Sequence, residues 1–110
     1  MKLPVDQIVR MHQKALDALA AHYLDTCMDD CEYLQIVRVL ISAAVGTLVE
    51  DGESEAVIEQ VASTLHGHVR QSFISHCVQQ QGEVSNLAVT QADCENLFDH
   101  IYQHGEYPDA

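Results

Sequence analysis

Positive charge is what this sequence has least of. Five Lys and Arg stand against 17 Asp and Glu, a formal net charge of −12 with the histidines neutral. Lys2, Arg10, Lys14 and Arg38 all fall in the first 38 positions, leaving Arg70 as the sole basic residue beyond them. A field of that sign repels phosphate backbones and anionic membrane surfaces, and it steers basic proteins or cations inward. Direct nucleic-acid binding is therefore not expected. Tryptophan is absent and aromatics make up 5% of the chain, so the interior must be aliphatic, built on Leu, Val, Ile and Ala.

Other absences narrow the field further. No run of about twenty uninterrupted apolar residues offers a membrane span, and "MKLPVDQIVRMHQ" lacks the apolar core of a secretory leader. We expect a cytoplasmic protein with no membrane partner, whose four cysteines, Cys27, Cys31, Cys77 and Cys94, stay reduced. There is no CxxC pair, nucleophile elbow, phosphate-binding glycine loop or HExxH, the short patterns that place nucleophiles, phosphates or zinc. No enzymatic reaction and no cofactor is expected.

What is present is helical periodicity. The 110 residues, 47% of them apolar, suit one domain with one core. Pro4 opens a first helix reaching Asp25, with Val5, Ile8, Leu16, Leu19 and Tyr23 on one stripe and His12 at its centre. Asp29 and Glu32 make a capping box for a second helix that runs until Gly52. Its polar positions Gln35, Arg38, Ser42 and Gly46 form one narrow strip, so it is predicted central and mostly buried, with Ala43, Ala44 and Gly46 permitting close helix contact. Ser54 caps a third helix, which buries Ile58, Val61, Ala62, Leu65, Val69, Phe73 and His76, tolerates a bend at Gly67 and ends at Gln81. "GEVSNLAV" reads as a link. Thr90 with Asp93 starts a fourth helix, with Cys94, Leu97, Phe98, Ile101 and Tyr102 inward, Gly105 as C-cap and Pro108 closing the tail. The sum is an all-α protein, a small four-helix bundle in one domain. A helix as long as the third can bury more surface in a second copy than in a monomer this small, so completion as a homodimer is expected.

The stretch "HGHVRQSFISHC", residues 66 to 77, has the density of a metal site. On a helix it is not one. His66 and His68 diverge by about 160°, His76 lies roughly 15 Å further along the axis, and adjacent His76 and Cys77 point apart. Ligands would have to come from another helix, where Cys27, Cys94 and His12 are candidates for His76. His100 and His104 are better spaced, four apart with Asp93 near the same face, yet histidines in a last turn also serve exposed carbonyls and the negative dipole end. The same four-residue spacing of Cys27 and Cys31 straddles a helix boundary. A histidine and cysteine metal-binding or sensing domain is the alternative function, and a small enzyme with an unrecognised site the third.

The most distinctive surface feature is "EDGESEAVIEQ", where Glu50, Asp51, Glu53, Glu55 and Glu59 crowd one helix junction with no basic residue among them. Such crowding costs stability by mutual repulsion. We expect these five residues to be a protein-binding surface of a non-catalytic interaction module. An acidic inhibitor or adaptor of this kind docks a basic partner, and a nucleic-acid-binding protein is one such partner.

Overall fold

A computed structural model describes residues 3–84 and 91–108. Four helices account for nearly all of them: α1 (Val5–Thr26), α2 (Asp30–Glu50), α3 (Glu55–Val84) and α4 (Gln91–His104). The all-α reading holds, and the helix ends show why. The Pro4 carbonyl accepts the N–H groups of Gln7 and Ile8 at 3.0 and 3.2 Å, so the fixed proline φ starts α1 without wasting a donor. Asp29 Oδ2 accepts from the N–H of Cys31 at 3.1 Å and of Glu32 at 3.4 Å. The reciprocal half of the box is not made, because no bond returns from the Glu32 side chain among the described residues. Ser54 Oγ accepts the Val57 N–H at 3.3 Å and begins α3.

The stops are backbone devices. Gly52 and Gly105 hold φ of 77° and 75°, the left-handed conformation that closes a helix cheaply only for glycine. At the end of α2 this returns the Gly52 and Glu53 N–H groups to the carbonyls of Val49 and Leu48, each at 3.1 Å. The expected stop at Gly82 does not occur, since α3 continues to Val84. An interior glycine costs a helix about 1 kcal/mol but does not forbid it. The rest of the predicted link, and the Thr90 cap, lie outside the described residues.

Packing follows a simple plan. α2 and α3 touch each other and both flanking helices, while α1 and α4 do not meet among the described residues. α1 and α3 run parallel, with Asp17 opposite His68 and Tyr23 opposite His76. α4 runs back along α3, where Phe98 meets Phe73 and Tyr102 meets His66. The core is aliphatic with a small aromatic centre: Leu16, Leu34, Val37, Leu48, Leu65 and Phe98 are among its fully buried members.

Two burial expectations are corrected. His12 and His76 are half-buried, not buried. The His12 ring turns back along its own helix, Nδ1 lying 2.8 Å from the Ile8 carbonyl, and His76 meets the edge of Tyr23 with ring centroids 6.0 Å apart. α2 is central but not mostly buried. Tyr33, Leu34, Val37, Ile41, Ala44 and Leu48 face the core, whereas Val39 is 67% and Val49 58% exposed. Nothing lies within 4 Å of where a Cβ on Gly46 would stand. By length and composition alone, α2, with an 18-residue window of mean hydropathy 1.5, could cross a membrane. Its six core residues give that apolarity a reason within the bundle.

One end of α1 carries a cost. Cys27 caps it at φ 53°, ψ 42°, with its N–H on the Tyr23 carbonyl, a left-handed site occupied by a residue with a Cβ. Cys27→Gly should raise stability by about 0.5 to 1 kcal/mol in chemical denaturation, and Cys27→Val should lower it.

Candidate functional site

The acidic junction is built where the two central helices meet. α2 ends without a basic residue in its last turn, and its terminal carbonyls are answered by backbone N–H groups of Asp51, Gly52 and Glu53. Buried Leu48 anchors this turn from below. The carboxylates of Glu50 and Asp51 are consequently not needed as caps. Glu50, Glu55 and Glu59 are exposed, and Asp51 and Glu53 are half-buried. Glu55 sits in the first turn of α3, where the positive dipole end favours it. Glu50 and Asp51 sit at the opposite pole, the C-terminus of α2, where the dipole opposes negative charge. The dipole thus explains part of the cluster and makes the rest costlier.

Beside the junction a cleft of about 420 Å³ opens between α1 and α3, lined by Val5, Val9, Val57 and Val61 with Asp6 and Arg10 at its polar edge. Arg10 brings a cation to this end of the molecule that the local sequence does not show.

The histidine-rich stretch is dispersed as its helical geometry predicts. His66 packs edge-on against Phe98 and Tyr102 of α4, at centroid distances of 5.6 and 4.8 Å. His68 turns to α1, its Nε2 2.7 Å from Asp17 Oδ1. Arg70 returns to α4 and grips Asp99 with two bonds, from Nε at 3.0 Å and Nη2 at 3.1 Å. His76 faces α1, and with Tyr23, Cys27 and Asp30 it lines a cleft of about 200 Å³. Cys77 faces α4, where Cys94 Sγ donates to Cys77 Sγ at 2.7 Å. The His100 and His104 rings do meet, with centroids 4.5 Å apart. Among the described residues no three His, Cys, Asp or Glu side chains gather into a metal-binding group.

Sequence reasoning missed a polar cluster at the far end of the bundle. Tyr23 and Tyr33 stack at 4.2 Å. The Tyr23 hydroxyl donates to Asp30, and the Tyr107 hydroxyl lies 3.1 Å from Asp29 Oδ1 and 3.2 Å from Asp30 Oδ2. Burial and these carboxylates push the Tyr23 and Tyr107 phenols well above their ordinary range, and burial lifts Tyr33 to about 12. The cluster ties the tail to the start of α2. A tyrosine on an apolar stripe needs a partner for its hydroxyl, which was the available signal.

Comparison of the chain with protein-family models, curated proteins and solved structures returns no match.

His66 supplies the titration. Burial lowers its pKa and nearby Arg70 pushes the same way, against an opposing pull from Asp99. The unfolded imidazole therefore takes up a proton more readily than the folded one. Its stabilising contribution is full above its ordinary value near 6.5 and is lost as pH falls through the folded value. Between about pH 7.5 and 5, the melting temperature of His66→Phe should fall less than that of the native chain. Equal falls would show that the imidazole is not desolvated by α4.

Proposed function

We propose that this chain is a non-catalytic interaction module, an acidic helical adaptor or inhibitor that docks a basic protein at the α2–α3 junction. One observation carries the reading. Glu50 and Asp51 are held at the unfavourable end of the α2 dipole, and neither has an ion-pair partner among the described residues. Stability would be served by neutral side chains there, so their charge finds its use in what approaches from outside. Glu55 and Glu59 extend the same surface along α3. The cation at this end of the molecule, Arg10, lies at the edge of the neighbouring cleft between α1 and α3. A partner with a basic groove, such as a nucleic-acid-binding protein, would meet carboxylates where it expects phosphates.

The test has two arms. The 110-residue chain used as bait in its native lysate should retain basic proteins at low salt and release them as the Debye length shrinks toward about 3 Å near 1 M. The variant Glu50→Gln/Asp51→Asn/Glu55→Gln/Glu59→Gln should fail to retain them. Glu50→Gln/Asp51→Asn alone should also be more stable in chemical denaturation, by on the order of 0.3 to 1 kcal/mol for each charge removed from the dipole end. A partner held equally by both proteins, at both salt concentrations, would rule out docking at this junction.

The exposed face of α2 favours a second copy as a further partner. Between Glu32 and Glu50 the helix carries one charged residue, Arg38, in a chain that otherwise repels itself. The outward strip is formed by Gln35, Val39, Ser42, Ala43, Gly46 and Val49, all exposed. An antiparallel pairing that sets Ser42 of one copy against Gly46 of the other also sets Val39 against Val49 and Arg38 against Glu50. That self-complementarity is what a two-fold interface requires, and small residues at its centre allow close approach. Light scattering over a concentration series should report a dimer, and Val39→Glu should give a folded monomer. A native chain that stays monomeric throughout would end this reading and leave the acidic junction untouched.

A further inference from the structure

We propose that Cys77 and Cys94 are a dithiol couple that exchanges with a small-molecule disulfide and closes into an intramolecular bridge tying the start of α4 to α3. The two sulfurs are already in contact. Cys94 Sγ donates to Cys77 Sγ at 2.7 Å, roughly 0.7 Å beyond the covalent length of about 2.05 Å. Each is fixed from outside the pair. Cys94 is 1% exposed in the first turn of α4, and Cys77 packs against the main core from α3. Phe73 against Phe98, one turn below, holds the two helices in register, with ring centroids 5.4 Å apart. Closure therefore needs a small adjustment of two side chains and no rearrangement of helices.

Access sets the order of events. Cys77 is half-buried and Cys94 buried, so Cys77 is the entering thiol and Cys94 the resolving one. Cys77 gives up its proton and its sulfur attacks one sulfur of oxidised glutathione. The glutathione S–S bond breaks, and the departing thiolate takes that proton. Cys94 then loses its proton as its sulfur attacks Cys77 Sγ, the mixed disulfide breaks, and the second glutathione leaves as a protonated thiol. Two protein thiols are oxidised to one disulfide, and one glutathione disulfide is reduced to two thiols. The first step is slow, because burial, Cys94 and Asp30 together hold the proton on Cys77. The second is fast because its nucleophile is already in place.

The bridge would join positions 17 apart, across the α3–α4 connection. In the unfolded chain it removes the entropy of that loop, and in the folded chain it prevents α4 from leaving α3. Cys27, exposed at the end of α1, and Cys31 remain outside the couple.

The experiment uses the full chain in a Cys27→Ser/Cys31→Ser background, exposed to oxidised glutathione, alkylated and cleaved after Glu83, which separates Cys77 from Cys94. We expect intact mass to show the loss of two hydrogens, a single linked peptide pair, and a melting temperature raised on the order of 10 °C over the reduced protein. Cys94→Ser should stop at a stable glutathione adduct on Cys77, and Cys77→Ser should take up little glutathione. The same mapping on the native chain should give the same bridge. Alkylation of both Cys77 and Cys94 after exposure, an unresolved adduct in the native chain, or a bridge from Cys77 to Cys27 or Cys31 would overturn the assignment.

Discussion

Two helices, α2 and α3, must each be inner walls to more than one neighbour, and the rest of the structure is a consequence of that demand. Each touches the other and both flanking helices. A helix with several neighbours cannot keep its apolar residues on one narrow stripe, so both depart from simple amphipathic order. On α2 the result is a broad buried face of Tyr33, Leu34, Val37, Ile41, Ala44 and Leu48. On α3 it is a buried spine of Val61, Leu65, Val69 and Phe73, with two polar edges, one toward α1 and one toward α4.

Those two edges account for the histidine-rich stretch. His68 and His76 belong to the α1 edge, where they meet Asp17 and Tyr23. His66, Arg70 and Cys77 belong to the α4 edge, where they meet Tyr102, Asp99 and Cys94. Residues that crowd together in the linear sequence are therefore assigned alternately to different partners. Ligand density along a chain becomes ligand density in space only when its period matches the secondary structure. Here 3.6 residues per turn separates what a strand or a loop could have gathered.

This is also the measure of what could be read in advance. Helix existence, the Asp29 and Ser54 caps, the glycine stops at Gly52 and Gly105 and the divergence of His66 from His68 are local facts of spacing and backbone chemistry, and they were legible. The pairing of Cys77 with Cys94 and of Tyr107 with Asp29 and Asp30 was not, because such contacts depend on the register between helices, which no single helix encodes. The excess apolarity of α2 misled in a more instructive way. The width of its apolar surface implies burial, yet only Tyr33, Leu34, Val37, Ile41, Ala44 and Leu48 are buried, and Val39 and Val49 lie in solvent. Gly82 marks the opposite case, since an interior glycine costs a helix about 1 kcal/mol without ending it, and α3 runs on to Val84.

The two ends of the bundle then divide the electrostatic labour. At one end Asp29 and Asp30 are answered by N–H groups and phenols: Asp29 accepts from the N–H groups that start α2, and Tyr23 and Tyr107 donate to the pair. Negative charge there is consumed internally, and it fastens the tail to the bundle. At the other end the α2 carbonyls are satisfied by the backbone of the turn itself, so Glu50 and Asp51 have no structural duty and lie against the dipole. Identical side chains are thus structural at one pole and surplus at the other. The difference lies in helix polarity, because only a helix N-terminus offers free N–H groups for a carboxylate to accept. On the proposed reading, that is why the acidic surface, and not the acidic cap, is where a basic partner would dock.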